Sequence, residues 1–226
     1  ERAGWAGFRE RQQAALAAGR HIGIGVANYV EGTGRGPYES VSVRIGRDGR
    51  VAVATGAAPM GQGTKTMLAQ IVAEELGGDM ANVSVVAGDT AAIAQGIGGF
   101  NSRQAVMAGS SAQVAARRLR QRVLDLSAKL LEAARADLVV EGSAVRVAGT
   151  DRRILFAELA RQVSGLPGYR MLDEHGPSLM VTEHVLIDPM TYANGCAVVE
   201  LEVDVDTGAV LMHRVIFAHD CGRMIN

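Results

Sequence analysis

Residues 51–76 read VAVATGAAPMGQGTKTMLAQIVAEEL and combine a strand, a glycine-rich loop and a helix in direct succession. Val51–Thr55 alternates apolar and small residues after an Asp-Gly turn, which predicts the return strand of a hairpin. From Thr64, apolar side chains recur with a period of about 3.6 residues as far as Leu76, which predicts a helix that ends at the two following glycines. The loop 57–63 therefore leads from the end of a strand into the start of a helix.

A second glycine-rich loop also lies between a predicted strand and a predicted helix. Residues 83–86 predict a short strand, and residues 91–101 form the loop after it. Ser102 suits the N-cap of the next helix, because a serine side chain accepts hydrogen bonds from the first backbone N–H groups of a helix. Apolar periodicity predicts that this helix runs to about Ala134.

The rest of the chain predicts hairpins with a few helices between them. The further elements are a helix within 5–18, a strand at 21–30, the hairpin 38–55, a hairpin at 138–147, a short helix at 156–163, a strand at 179–187 and a hairpin at 197–217. Hairpins interspersed with helices, without a regular alternation of single strands and helices, predict an α+β fold with hairpin-rich mixed sheets. We expect three parts: an N-terminal helix (1–19), an α+β unit with both loops (20–150), and a second sheet-rich unit cut short at its C-terminus (151–226).

Composition and charge exclude several classes of protein. Of the 226 residues 48% are hydrophobic, and the formal net charge is -1, whereas a disordered chain has few apolar residues and a large net charge. A nearly neutral chain has no basic surface for nucleic acid, and no apolar run reaches the roughly 18 residues of a membrane span. Two cysteines without a short pairing favour the reducing cytoplasm. The start at Glu1 and the end at Asn226 predict a piece of a longer protein.

Each glycine-rich loop, taken alone, is compatible with phosphate binding and with ordinary turn formation. Backbone N–H groups at the start of a helix lack partners and attract anions, but helices also need glycine at their ends for steric reasons. The sequence does not match a P-loop, since three residues separate Gly61 from Lys65 and the motif needs a contiguous Gly-Lys-Ser/Thr. The sequence does not match the dinucleotide-binding motif either, because Gly23-Ile24-Gly25 lacks the third glycine and precedes a strand.

Several short motifs, in a particular order, distinguish this sequence more sharply than either loop. They are Met60-Gly61-Gln62-Gly63, Ala69-Gln70-Ile71, Glu74-Glu75-Leu76-Gly77, Val86-Ala87-Gly88-Asp89-Thr90, Gly98-Gly99-Phe100-Asn101-Ser102-Arg103, Ala108-Gly109 and His219-Asp220-Cys221-Gly222-Arg223-Met224-Ile225-Asn226. With these motifs the chain resembles the large, molybdopterin-binding subunit of the xanthine dehydrogenase, aldehyde oxidase and carbon monoxide dehydrogenase family. The resemblance extends over nearly the whole chain.

The resemblance implies that both loops bind molybdopterin, a pyranopterin that carries molybdenum, in its unmodified or its cytidine dinucleotide form. The cofactor-binding residues that it implies are Met60, Gly61, Gln62, Gly63, Phe100, Asn101, Ser102, Arg103 and Gln104. The amide of Gln62 suits this role because it can donate and accept hydrogen bonds at once. No residue is expected to bind a metal ion directly, since His213 and His219 on one strand would lie about 20 Å apart.

The resemblance also implies an oxidoreductase, in which the cofactor oxidises an aldehyde, an N-heterocycle or carbon monoxide. The implied partners are the rest of the large subunit, subunits or domains with iron–sulfur clusters and FAD, and a small-molecule substrate. The family's glutamate base lies beyond Asn226, so no catalytic residue is assigned and we expect the chain to be inactive alone. The alternative is a non-catalytic α+β ligand-binding or assembly module whose loops bind another phosphate ligand or none.

Two further features are interpreted as structural. The row Glu200, Glu202 and Asp204 on one strand predicts a solvated face, because unpaired carboxylates are almost never fully buried. Cys221 is interpreted as a small packing residue near the cofactor, since free cysteines are usually buried.

Overall fold

The computed structural model describes residues 2–165 and 171–225 and has the α+β fold with mixed sheets that the sequence predicts. The helices are α1 (Phe8–Ala17), α2 (Thr64–Leu76), α3 (Gly109–Leu130) and α4 (Phe156–Val163), and a π turn, Gln104–Ala108, directly precedes α3. The strands are β1 (His21–Thr33), β2 (Ser40–Ile45), β3 (Val51–Thr55), β4 (Val83–Ala87), β5 (Leu138–Glu141), β6 (Ala144–Val147), β7 (Arg153–Leu155), β8 (Leu179–His184), β9 (Thr191–Val203) and β10 (Val210–Asp220).

The larger of two compact units comprises Thr33–Thr191 and contains both glycine-rich loops. Its main sheet has the strand order β4–β3–β2–β8. Strand β2 pairs antiparallel with β3 and β8, whereas β3 and β4 are parallel because α2 connects them. Neighbouring parallel strands have their carboxyl ends at the same edge of a sheet, and ligands of such sheets bind outside that edge. The loops that follow β3 and β4 therefore leave the sheet side by side.

A single hydrophobic core lies between the main sheet and the helices of this unit. The two hairpin strands contribute alternate residues, since successive side chains of a strand point to opposite faces. The buried residues of β2, β3, α2 and α3 in this core include Val41, Val43, Ile45, Val51, Val53, Leu68, Val72, Leu76, Ala112, Ala116, Leu119 and Val123. Burial of one large apolar side chain of this kind stabilises a fold by about 1.5–3 kcal/mol. The core thus fixes the strands and helices from which the two loops extend.

The start of the long helix differs from its prediction. The helical segment begins at Gln104 with Arg103 in the N-cap position, and it ends at Leu130 rather than near Ala134. Ser102 precedes the cap and has a φ of 47°, whereas an N-cap residue typically has β-region angles. The predicted role of Ser102 as N-cap is therefore wrong.

A small antiparallel sheet, β5–β6–β7, completes the larger unit. Strand β7 was not predicted because its three residues are too few to show an alternating pattern. It leads directly into α4, whose first residue, Phe156, is buried.

The smaller compact unit comprises the residues up to Gly32 together with Tyr192–Met224. Its sheet has the strand order β1–β9–β10, and β9 and β10 form a long antiparallel hairpin. The two compact units thus interleave along the chain. The predicted division of the chain into residues 1–19, 20–150 and 151–226 stays a prediction.

Two acidic residues of β9, Glu200 and Glu202, form ion pairs, and the predicted solvated face is wrong for Glu200, which is buried. Glu200 is 7% exposed and pairs with Arg11 of α1 at 2.6 Å. Glu202 pairs with Arg20 at 2.6 Å and accepts a hydrogen bond from His213 at 2.8 Å. The hydrogen bond from Arg20, followed by that from His213, lowers the pKa of Glu202 to about 2. A local alternating pattern could not reveal partners that lie more than 180 residues away in the sequence.

Two remaining features concern the surface of the described chain. Cys221 is exposed just after β10, and its predicted packing near the cofactor stays a prediction. Among residues 2–165 and 171–225, no helix has both the length and the apolar character that a membrane crossing needs.

Candidate cofactor site at two converging loops

The first loop, residues 56–63, exposes its backbone. Gly61 and Gly63 have φ angles of 102° and 80°, which glycine adopts at little cost. A Cβ atom at either position would meet no described heavy atom within 4 Å. Met60 and Gln62, on either side of Gly61, are exposed as well, and the Met60 residue is 73% exposed. This loop therefore offers uncovered backbone beside two flexible side chains.

The second loop, residues 96–103, approaches the first loop at two glycines. A Cβ atom on Gly56 would lie 2.3 Å from the Cα atom of Gly96, which no side chain could tolerate. The Gly56–Gly96 contact brings the two backbones together directly after the end of β3. The two loops therefore lie against each other at these glycines.

Two glutamine amides connect the first loop to the π turn, which directly follows the second loop. Gln62 donates from Nε2 to Oε1 of Gln104 at 2.6 Å, and Gln104 donates from Nε2 to the carbonyl oxygen of Ala58 at 2.8 Å. The backbone N–H of Met60 donates to Oε1 of Gln62 at 2.6 Å, and the hydroxyl of Thr64 donates to Oε1 of Gln104. Side chains of the first loop and of the π turn thus form one hydrogen-bonded chain.

A buried ion pair fixes the second loop from its other side. Arg103 and Glu39 both have side chains that are 0% exposed, and their Nη1 and Oε2 atoms lie 2.7 Å apart. The Glu39 carboxylate also accepts hydrogen bonds from the backbone N–H groups of Ile97 at 3.2 Å and Gly98 at 3.0 Å. A buried charge is costly unless it is paired and hydrogen-bonded, and both conditions hold here.

The Arg103 guanidinium is directed into the protein. It donates to the carbonyl oxygens of Arg35 at 2.7 Å and Gly98 at 2.6 Å, and to that of Tyr38. Its Cζ atom lies 5.1 Å from the centroid of the Phe100 ring, within the range of a cation–π contact. The family resemblance implies that Arg103 binds the cofactor, and that contact stays a prediction. The role in the internal ion pair was not foreseen.

The exposed tip of the second loop is strained. Asn101 and Ser102 have φ angles of 48° and 47°, in the left-handed region that residues with a Cβ atom rarely adopt. Such residues cost about 1–3 kcal/mol each and persist where the surroundings impose them. The π turn that follows is also of a kind found frequently at functional sites.

The nine predicted site residues thus occur on two loops that touch, but they differ in burial. Arg103 and Gln104 are buried, and the other seven, Met60, Gly61, Gln62, Gly63, Phe100, Asn101 and Ser102, are exposed. Glu39 is the residue that sequence reasoning missed. An isolated glutamate directly before a strand carries no local signal of burial, and only the unusual arginine inside a glycine-rich loop could have prompted a search for a buried acid.

The start of α2 adds a favourable place for an anion. Gly63 is its N-cap and, within the described residues, no side chain caps this helix. The first backbone N–H groups of a helix lack intrahelical acceptors, and the helix dipole makes them partly positive. An uncovered glycine backbone, exposed hydrogen-bonding side chains and this helix start together suit a flat, polar ligand that carries a phosphate group.

The structure is an α+β domain in which the two loops follow the parallel strands of a β3–α2–β4 unit. Its particular class follows from comparison with known families. The model of a family described as the molybdopterin cofactor-binding domain matches residues 1–226, and the chain belongs to this family. The resemblance inferred from the sequence motifs is confirmed.

Individual relatives agree with this assignment. The chain is 34% identical to the 6-hydroxypseudooxynicotine dehydrogenase complex subunit gamma of Paenarthrobacter nicotinovorans, over 100% of this chain and 28% of that protein. It is 30% identical to the carbon monoxide dehydrogenase large chain of Afipia carboxidovorans, over 91% of this chain and 26% of that protein. The crystal structure of quinoline 2-oxidoreductase from Pseudomonas putida 86 matches with a TM-score of 0.79 and 35% identity, over 98% of this chain and 30% of that one. The chain thus spans less than a third of the length of these relatives.

Proposed function

We propose that this chain is part of the large subunit of a molybdenum hydroxylase and that its two loops together hold the molybdopterin cofactor. The observation that carries the proposal is the hydrogen bond between Gln62 of the first loop and Gln104, which directly follows the second loop, in a member of a molybdopterin-binding family. A single cofactor can then touch both loops at once. The alternative, a non-catalytic binding module, has no observation of comparable weight in its favour.

The proposed contacts divide between the two loops. The full set is Met60, Gly61, Gln62, Gly63, Phe100, Asn101, Ser102, Arg103 and Gln104. Gly61 and Gly63 admit the cofactor close to the backbone, and Gln62 hydrogen-bonds it through its exposed amide. The start of α2 favours a phosphate group. The side chains of Arg103 and Gln104 are buried, so Arg103 contributes mainly by holding the second loop, and Gln104 contributes mainly through its hydrogen bonds to the first loop.

Bound between these loops, the cofactor supplies the oxidation chemistry of the enzyme. This chain binds and orients the cofactor, and we propose that the remainder of the large subunit supplies the glutamate base. Iron–sulfur and FAD groups on partner subunits or domains would carry the electrons away. The chain alone is accordingly inactive, and the enzyme is cytoplasmic. Both the unmodified and the cytidine dinucleotide forms of the cofactor agree with the proposal.

The substrate is proposed to be a small molecule, and the N-heterocyclic class is the first to test. The relatives named for 6-hydroxypseudooxynicotine and for quinoline are 34% and 35% identical to the chain, against 30% for the carbon monoxide dehydrogenase large chain. These names support an order of testing among N-heterocycles, aldehydes and carbon monoxide.

The proposal is tested on the complete large subunit, purified together with its partners. We expect molybdenum and pterin in a ratio near one per large subunit, and dye reduction with one of the three substrate classes. Gln62→Ala should lower both cofactor content and turnover. Gln121→Ala is the matched control, because Gln121 is an exposed glutamine on α3 and is not among the proposed contacts. A wild-type subunit without molybdenum and pterin would contradict the proposal and favour the non-catalytic module.

A further inference from the structure

The Gln104 side chain is placed to act on the first loop. Gln104 is the first residue of the π turn and is 7% exposed. Its amide has hydrogen bonds to the carbonyl oxygen of Ala58, to the amide of Gln62 and to the hydroxyl of Thr64. All three partners belong to the first loop or to the first residue of α2. The contacts of Gln104 therefore connect the π turn to the loop that carries Gln62.

Backbone groups at both ends of this chain of hydrogen bonds fix the direction of the two amides. A carbonyl oxygen only accepts, so the atom of Gln104 that lies 2.8 Å from Ala58 O must be the nitrogen. A backbone N–H only donates, so the atom of Gln62 that lies 2.6 Å from Met60 N must be the oxygen. The Gln62 nitrogen then faces the Gln104 oxygen, at 2.6 Å, and the two independent ends agree.

This direction decides which group of Gln62 remains for a ligand. An amide nitrogen carries two hydrogens, and Gln62 donates one of them to Gln104. Its oxygen already accepts from the Met60 N–H. The exposed amide of Gln62 thus keeps one N–H to donate outward.

We propose that Gln104 is a positioning residue that orients the Gln62 amide so that an N–H group, rather than the carbonyl oxygen, faces the bound cofactor. This inference rests on the proposed function of the two loops. Gly99 is part of the arrangement, because a Cβ atom there would lie 1.9 Å from Nε2 of Gln104 and would displace its amide. Without Gln104, only the Met60 N–H still holds the Gln62 amide, through its oxygen, and the amide nitrogen loses the acceptor that fixes its position.

The first test removes the hydrogen bonds of Gln104 while keeping its size. In the complete subunit, Gln104→Met should release molybdenum and pterin on dilution about tenfold faster than the wild type, because one well-placed hydrogen bond changes an equilibrium or a rate by about this factor. Gln121→Met, on the exposed face of α3, should leave the release rate unchanged. The melting temperature of the cofactor-free forms is measured in parallel, which separates loss of fold from loss of the cofactor.

A second variant tests the direction of Gln62 while leaving the Gln104 side chain unchanged. Gln62→Glu replaces an exposed donor by a group that only accepts hydrogen bonds when ionised. If an N–H faces the cofactor, Gln62→Glu should release it as fast as Gln62→Ala does. Release at the wild-type rate would mean that the oxygen faces the cofactor, and this result would overturn the inference.

A double-variant cycle tests whether Gln104 acts through Gln62. In the Gln62→Ala background, Gln104→Met should accelerate release by no more than about twofold, because the amide that it orients is absent. Effects of Gln62→Ala and Gln104→Met that multiply independently would overturn the inference, and so would a Gln104→Met release rate equal to the wild-type rate. Either of these two results leaves the proposed function intact, because the wild-type subunit still carries the cofactor. A wild-type subunit that lacks the cofactor would instead overturn the proposed function.

Discussion

The two loops meet at Gly56 and Gly96, but they are built in opposite ways. The first loop, residues 56–63, ends in glycines with open space beside them, and its side chains at Met60 and Gln62 are exposed. The second loop, residues 96–103, ends in Arg103, whose side chain is fully buried in an ion pair. We infer that the two loops have different roles. The first loop mainly contacts the ligand, and the second loop mainly fixes the distance between the two loops. The following predictions test this difference between the loops.

The largest effect is expected for the ion pair that holds the second loop. Arg103→Met should lower the free energy of unfolding by about 3–5 kcal/mol, because it leaves the Glu39 carboxylate buried without its partner charge. Urea unfolding followed by circular dichroism measures this loss. The double variant Glu39→Leu/Arg103→Met should lose clearly less than the sum of the two single variants, since no unpaired charge remains. A loss below about 1 kcal/mol for Arg103→Met would show that the pair does not hold the loop.

A smaller effect is expected at the glycine contact between the loops. Gly56→Ala should lower the free energy of unfolding by about 1–3 kcal/mol, because its Cβ atom would lie 2.3 Å from the Cα atom of Gly96 and the backbones must separate. Gly23→Ala is the matched control, since a Cβ atom at Gly23 meets no described atom within 4 Å and its φ is not positive. The same unfolding measurement should place the control within about 0.5 kcal/mol of the wild type. Equal losses at both positions would remove the evidence for a tight contact.

At the strained tip of the second loop, glycine should be more stable than alanine, the reverse of the usual order. Alanine normally stabilises a chain relative to glycine by about 0.5–1 kcal/mol. At Asn101, whose φ is 48°, Asn101→Gly should instead be more stable than Asn101→Ala by about 1–2 kcal/mol. Thermal unfolding of the two variants side by side gives the difference. If Asn101→Ala is the more stable variant, the tip is not held in a left-handed conformation.

The smallest effect on stability is expected on the first loop. Met60→Ala should change the free energy of unfolding by less than about 0.5 kcal/mol, because Met60 is 73% exposed. The same variant should nonetheless lower the molybdenum and pterin content of the complete subunit, as a residue that contacts the cofactor does. A large loss of stability with unchanged cofactor content would reverse the proposed roles of the two loops.

The sequence predicted those parts of the fold that have a local pattern. The period of about 3.6 in Thr64–Leu76 predicts α2, and the alternation around the Asp48-Gly49 turn predicts the hairpin of β2 and β3. The exposed residues of the first loop are indicated by a short motif, because its glycines and Gln62 are contiguous. These features depend on residues that are close in sequence, so a local pattern is enough to predict them.

The features that sequence reasoning missed depend on distant residues. The partner of Arg103 is Glu39, which lies 64 residues earlier, and Glu200 is buried against Arg11, which lies 189 residues earlier. Nothing in the neighbourhood of either glutamate distinguishes it from a solvated acid. The left-handed angle at Ser102 has a similar origin, because a serine before a helix predicts an N-cap unless the tertiary structure imposes another conformation.

Hydrogen exchange of the two loops, compared between the complete subunit with cofactor and the same subunit after cofactor removal, tests most directly whether both loops hold one ligand. Mass spectrometry of peptides that cover residues 56–63 and 96–103 follows the backbone amides, and the turn between β5 and β6 serves as the internal reference. The account predicts that exchange slows in both loops together, by about tenfold or more, when the cofactor is present, and that the reference turn is unchanged. Slowing in only one loop, or in neither, would contradict the shared site.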